Sequence, residues 1–208
     1  MARGFGVSFA SFDLGVFEGA HQDARHEMGR ALDRICRGTG FLVLEGHGVS
    51  RDVISDVWEA AQAFFAQDAA TKQKVAPPYQ GYPYGYLGPD AEALARSKGE
   101  DTPPDLKESF NGGPLRVPAD ASADAMGFCY QPTIWPDLPS FRPAWEAYYA
   151  AMEDLAARVM RAFAVALDLP EAHFDPAIAN PISALRALHY PETVDVPLAR
   201  QQRACAHT

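Results

Sequence analysis

Residues 184–190 read ALRALHY, and here the period of the side-chain pattern changes from helical to extended. Leu185, Ala187 and His189 would share one face of a strand, and Arg186, Leu188 and Tyr190 the other, because successive strand side chains point to opposite sides. Pro191 follows at once; having no N–H to donate, it ends the ladder. Beyond it, PETVDVPLARQQ (191–202) reads as a connection, and RACAHT (203–208) as the opening of a second strand with Cys205 and His207 on one face.

Upstream the period is that of helices. From Asp23 to Arg37 the apolar residues Ala24, Met28, Ala31, Leu32, Ile35 and Cys36 recur at three and four, which predicts one buried helical face. Gly38 and Gly40 supply the stop. FLVLE (41–45), an apolar run between glycines, is expected to be a buried strand, and GHGVS (46–50) a turn with Ser50 able to cap the next helix. That helix should bury a side made of Val53, Ile54, Val57, Trp58, Ala61, Phe64 and Phe65. A longer helix is expected from Pro139, with Phe141, Trp145, Tyr148, Met152, Leu155, Val159, Phe163 and Leu167 as its stripe. Between these, residues 77–136 hold ten of the 17 prolines and are expected to form a long, mostly irregular stretch pinned by its aromatics. Tyr82, Tyr84 and Tyr86 there have two readings, as the lining of a substrate mouth or as staples that hold the loop to the helices.

Composition narrows the function. With 208 residues and 48% apolar content the chain can bury one sizeable core or two small ones. Its net charge of -9, with 18 basic residues scattered among 27 acidic ones, argues against nucleic acid as a partner. The three cysteines, Cys36, Cys129 and Cys205, form no CxxC pair, which favours a reducing, cytoplasmic compartment. The opening MARGFGVSFASFDLG lacks the apolar run of a signal peptide, and no segment reaches the roughly 20 apolar residues that cross a bilayer. A soluble protein is expected.

Taken in order, FASFDLG (9–15), GTGFLVLEGHGV (38–49), the pair Phe64-Phe65, DLKESFNGG (105–113), the Pro139 helix, LRALHYP (185–191) and AHT (206–208) resemble the isopenicillin N synthase-like group of non-haem iron oxygenases, most of which use 2-oxoglutarate. The likeness runs along the whole chain but matches roughly the N-terminal two-thirds of a typical member. It implies an α+β fold, with a mostly helical layer over residues 1–182 leading into a double-stranded β-helix (jelly-roll) core. Residues 183–208 would be the first strands of that core, incomplete in this chain.

In such enzymes a His-X-Asp pair and a distant histidine hold iron. Two imidazoles and one carboxylate on one face of an octahedral Fe(II) leave three positions for cosubstrate and O2. His207 matches the first ligand and Thr208 the middle residue of the triplet, so the chain is expected to stop inside the motif, with the aspartate, the distal histidine and the Arg-X-Ser pair that grips 2-oxoglutarate falling after Thr208. Tyr190 matches a position that reaches the cosubstrate or substrate carboxylate; its other reading is an ordinary buried strand aromatic. Arg186, on the same face, would hold such a carboxylate or else pair with an acidic side chain. Leu188 stands where several relatives place a polar group.

The resemblance therefore implies an Fe(II)- and 2-oxoglutarate-dependent dioxygenase that uses O2 to hydroxylate, desaturate or cyclise a small organic molecule, inactive as the 208-residue piece. Two alternatives stay open: an oxidase of the same fold that does not use 2-oxoglutarate, and a catalytically dead short chain that binds a protein partner. No side chain is assigned a catalytic role beyond the metal and cofactor contacts. The literal triplet His173-Phe174-Asp175 is a decoy, since it precedes Pro176 with no strand to aim both side chains together. His21 and His26 are expected at the surface, and His47 is expected to satisfy backbone groups at a turn.

Overall fold

The computed structural model describes residues 9–89, 91, 103, 105–192, 201 and 203. The elements run β1 (Ser11–Asp13), α1 (Leu14–Gly19), α2 (Gln22–Thr39), β2 (Val43–Glu45), α3 (Arg51–Phe65), α4 (Ala69–Gln73), β3 (Gly85–Leu87), β4 (Glu108–Gly112), α5 (Ala123–Phe128), α6 (Phe141–Ala166), α7 (Asp175–Ile178) and β5 (Leu185–His189). They divide into two compact units, Met1–Arg51 with Ala150–Pro181, and Asp52–Tyr149 with Ile182–Thr208. The architecture is helices plus sheet, in agreement with the α+β reading.

In the first unit, helix starts and stops follow local chemistry. The Asp13 carboxylate accepts the Val16 N–H (2.9 Å) to cap α1, and His21 Nδ1 accepts the Ala24 N–H (3.4 Å) to cap α2. Helix α2 ends on Gly40, whose φ of 72° is the left-handed conformation glycine adopts without penalty. Of its predicted apolar face Leu32 is fully buried, packed with Phe12, Leu14, Phe17, Ala162 and Val165, while Ala24, Met28, Ala31, Ile35 and Cys36 are half-buried. Gly29 interrupts that face because a Cβ there would lie 3.0 Å from Val165 Cγ1 and 3.2 Å from the Ala166 nitrogen, so α6 approaches the α2 backbone directly.

Arg158 ties this unit together. Its guanidinium donates to both Glu18 carboxylate oxygens (2.7 and 2.8 Å) and to the His47 carbonyl (2.9 Å). The hydrogen bonds from Arg158 hold the Glu18 carboxyl below the usual range. His47 has the turn role expected of it, since its Nδ1 accepts the Val49 N–H at 3.1 Å.

Two expectations are corrected here. FLVLE is a strand only over β2, which pairs in parallel with β1, and it is not buried: Phe41 and Val43 are exposed while Leu42 and Leu44 pack on the core. Side chains alternate along a strand, so with Leu42 and Leu44 turned to the core, Phe41 and Val43 point the other way. The stripe of α6 stops short of Leu167, which is exposed, because the helix ends at Ala166 and Asp168 turns the chain at φ 55°.

The second unit is built around a three-stranded antiparallel sheet in the order β3-β4-β5. Glu108 pairs with His189, Phe110 with Ala187 and Gly112 with Leu185. On that face Phe110 is fully buried among Phe64, Phe141 and Trp145. Gly112 is required by this packing, since a Cβ would fall 2.6 Å from Trp145 Nε1 and 3.0 Å from Cε2. Gly112→Ala is expected to cost about 1–3 kcal/mol through overpacking, read as a lower urea midpoint with an unchanged m value.

The proline-rich stretch is more ordered than expected, for it contains β3, β4 and α5. All three tyrosine hydroxyls act as staples: Tyr82 donates to the Pro132 carbonyl, Tyr84 to the Cys129 carbonyl and Tyr86 to Glu108. Burial pushes the Tyr84 phenol up to about 12. The side predicted for α3 is buried only in part. Phe64 and Phe65 are in the core with Val57 and Ala61 against it, but Ile54 and Trp58 are exposed, Trp58 to 67%.

Candidate functional site

A glutamate that alternates with Phe110 on a core-facing strand must be buried, and Glu108 is, at 4% exposure. An ionised carboxylate in such a place requires charge and hydrogen-bond partners. Three elements supply them. Lys72, from α4, donates to both carboxylate oxygens (3.0 and 2.7 Å) and to the Phe65 carbonyl at the end of α3 (3.0 Å). Tyr86, on β3, donates its hydroxyl to Oε2. His189, the cross-strand neighbour on β5, brings Nδ1 to 2.7 Å from Oε1, and its ring stacks on Phe65 with centroids 5.1 Å apart.

Burial alone would raise the Glu108 carboxyl, but the hydrogen bonds from Lys72, Tyr86 and His189 and the Lys72 charge outweigh it and hold the group below the ordinary value. Burial first, then the Glu108 carboxylate, pushes the Tyr86 phenol upward, so that it stays a donor. Since an ionised carboxylate can only accept, the His189 nitrogen facing it carries the proton.

Beside this cluster, α3, α6 and β5 line an open cleft of about 570 Å³, with Trp58, Ala61, Phe65, Trp145, Leu188 and His189 among its walls. Arg186 also lines it, and its Nη2 donates to Ser109 Oγ at 2.9 Å. The alternation predicted for 184–190 is present: Leu185 and Ala187 pack on the core, while Leu188 and Tyr190 are exposed. Tyr190 stands just past β5 with 36% of its surface exposed. His207 and Cys205 lie outside the described residues.

The decoy triplet has a different use. Asp175 takes the Arg161 guanidinium at 2.9 Å, and His173 packs its ring edge against Phe174. Among the described residues no three His, Cys, Asp or Glu side chains converge as a metal needs. Glu108 and His189 make only two, with the carboxylate already occupied by Lys72 and Tyr86. The described residues therefore do not fit an iron by themselves.

Sequence reasoning used KESF only as a mark of resemblance and passed over Lys72, Glu108 and His189. One signal was available: Glu108, Phe110 and Gly112 alternate along a strand whose Phe faces the core, which implies a buried acid and a distant cation.

Residues 11–138 match the family described as non-haem dioxygenase in morphine synthesis, N-terminal. The chain is 30% identical over 190 residues to a 2-oxoglutarate-Fe(II) type oxidoreductase of Aspergillus fumigatus, covering 86% of this chain and 53% of that protein. It is 30% identical over 195 residues to the 2-oxoglutarate-dependent dioxygenase caaD of Aspergillus niger, with 89% and 56% covered. Among solved structures, a full-length Neurospora crassa protein in complex with alpha-KG and thymine is similar with a TM-score of 0.72 at 23% identity, over 91% of this chain and 57% of that one. The structural likeness shows a shared helix-plus-sheet fold. The chain spans about half the length of the curated relatives it matches.

Proposed function

The chain belongs to the non-haem dioxygenase N-terminal family, and from that premise we propose that the whole protein is an Fe(II)- and 2-oxoglutarate-dependent oxygenase acting on a small organic molecule by hydroxylation, desaturation or cyclisation. The observation that carries this reading is the family match over residues 11–138, continued by relatives named for 2-oxoglutarate and Fe(II) along more than four-fifths of the chain. In this reading residues 1–182 are the mostly helical region, although they also carry strands β1 to β4, and β5 belongs to the jelly-roll core of that fold.

Bound Fe(II) and 2-oxoglutarate would supply the O2 chemistry that oxidises an unactivated C–H bond. In this reading His207 is an iron ligand, on the strength of its match to the His-X-Asp motif. Arg186 presents guanidinium N–H groups, and Tyr190 a phenol, on the strand face that would meet a cosubstrate carboxylate. The Glu108 cluster supports that face by fixing the β4–β5 register. No helix among the described residues is long and apolar enough to cross a membrane. Cys36 and Cys129 are free thiols, in keeping with a cytoplasmic location.

The test is succinate formation from 2-oxoglutarate by the whole protein with Fe(II), with and without His207→Ala. Turnover should be abolished in the variant while the thermal melt is unchanged. Retained turnover with bound iron would remove His207 from the site. Oxygen consumption that needs no 2-oxoglutarate would instead identify an oxidase of the same fold.

A further inference from the structure

We infer that His189 is a positioning residue: its bond to Glu108 selects the register in which β5 lies on β4, and so the places from which Arg186 and Tyr190 meet a carboxylate. Strand β5 has one neighbour, β4, among the described residues. A strand held along one side can slide, and the fit of its side chains is what stops it. A slide of one residue is excluded, since it would turn Arg186, Leu188 and Tyr190 into the core. A slide of two keeps every side chain on its own face.

In the observed register Glu108 faces His189, Phe110 faces Ala187 and Gly112 faces Leu185. Moved two residues one way, the chain would set Ala187 against Glu108, Leu185 against Phe110 and Ser183 against Gly112. The core would still hold Leu185 and Ala187, so burial of apolar surface does not choose between the two arrangements. The opposite slide would press His189 onto fully buried Phe110 and bring Pro191 to Glu108, which takes away the imidazole's acceptor and a ladder donor.

Two other contacts are indifferent to the first slide. Tyr149 donates its hydroxyl to the Ser183 carbonyl (2.6 Å), and the Pro181 carbonyl would arrive in its place. Arg186, which reaches Ser109 Oγ at 2.9 Å from a diagonal position, would stand directly opposite it. What the slide destroys is the 2.7 Å contact of His189 Nδ1 with Glu108 Oε1 and the stacking of the ring on Phe65. Lys72 and Tyr86 hold Glu108 independently of β5, so its carboxylate is a stationary mark against which the strand is set. A single buried polar contact that fixes register is the best-attested use of such groups.

The consequence for function rests on the oxygenase reading: a slide of two carries Arg186 and Tyr190 about 7 Å along the sheet, away from any carboxylate they would hold. The register itself is read in the full chain without iron or 2-oxoglutarate, so its outcome is independent of succinate formation. Ser109→Cys with Leu188→Cys stand directly opposite in the observed register, at the roughly 4.5–5.5 Å a disulfide can span. Asn111→Cys with Ala184→Cys are a diagonal pair, about 7–8 Å apart, and come opposite only after the slide. Bridges are identified by mass after proteolysis, which separates them from any that involve the native cysteines.

With His189 in place the first bridge should form. His189→Phe keeps a ring against Phe65 but no bond to Glu108, and should raise the second bridge relative to the first by roughly ten- to a hundredfold, the worth of a hydrogen bond to a charged group. His189→Asn, whose Nδ2 can donate from the position of Nδ1, should return the ratio toward that of wild type. Should His189→Phe fail to fold, Ala187→His with His189→Ala is read instead; it keeps the composition, moves the imidazole by two residues and should form the second bridge. An unchanged ratio in His189→Phe would overturn the inference, as would a ratio in His189→Asn equal to that of His189→Phe, which would assign the register to ring stacking. So would the first bridge, or neither bridge, in the double variant.

Discussion

Lys72→Met is expected to destabilise the chain by about 3–5 kcal/mol, because it removes the only cation bonded to Glu108 among the described residues and leaves a buried carboxylate uncompensated. The cost does not measure what the ion pair contributes. A double variant, Lys72→Met with Glu108→Met, should recover part of the loss, since no charge then remains to be desolvated; the recovery is incomplete because Tyr86 and His189 lose their acceptor, at about 1–3 kcal/mol for each buried group left unpaired. Urea unfolding of the two single variants and the double separates these terms.

Acid should separate them too. The folded Glu108 carboxyl lies below its ordinary value. Its stabilising contribution is therefore full above the unfolded value of about 4.3 and is lost as pH falls through the lower folded one. Lys72→Met removes the main cause of the lowering, so its deficit relative to wild type should shrink as pH falls below about 4. A deficit that stays constant across that window would mean Glu108 is not the charge that Lys72 balances.

Phe110→Ala is expected to cost a further about 3–5 kcal/mol, by lost transfer energy and an unfilled cavity. Phe110 is fully buried on the central strand, with ring centroids 4.9 Å from Phe141, 5.1 Å from Trp145 and 5.4 Å from Phe64, all tilted or edge-on. No neighbouring side chain can close such a gap, because Gly112 already brings the β4 backbone against Trp145. The melting temperature should fall by roughly 10 °C, with a change in Trp145 fluorescence. Phe110→Leu, which keeps most of the volume, should cost only about 1 kcal/mol. Similar losses for the two variants would mean the ring geometry, rather than filled volume, holds the core.

What could be read along the chain was what a single element decides within itself. The three-and-four spacing of Ala24, Met28, Ala31, Leu32, Ile35 and Cys36, the Gly40 stop and the period-two alternation of 184–190 all describe one helix or strand, and each is present. The same local reading misplaced Trp58 and Val43. Periodicity says which residues share a face, and not whether another element covers it.

The sequence by itself determined helices and strands, the change of period at 184, the family resemblance and the candidates His207, Arg186 and Tyr190. Only the tertiary structure decided that Lys72, Tyr86, Glu108 and His189 form one buried cluster and that Trp58 stands at an open cleft. Lys72 is 36 residues from Glu108, and His189 is 81 residues from it. Nothing local selects those partners. They are chosen by antiparallel pairing of β4 with β5 and by the burial of Glu108, which makes an unpaired charge too costly to keep.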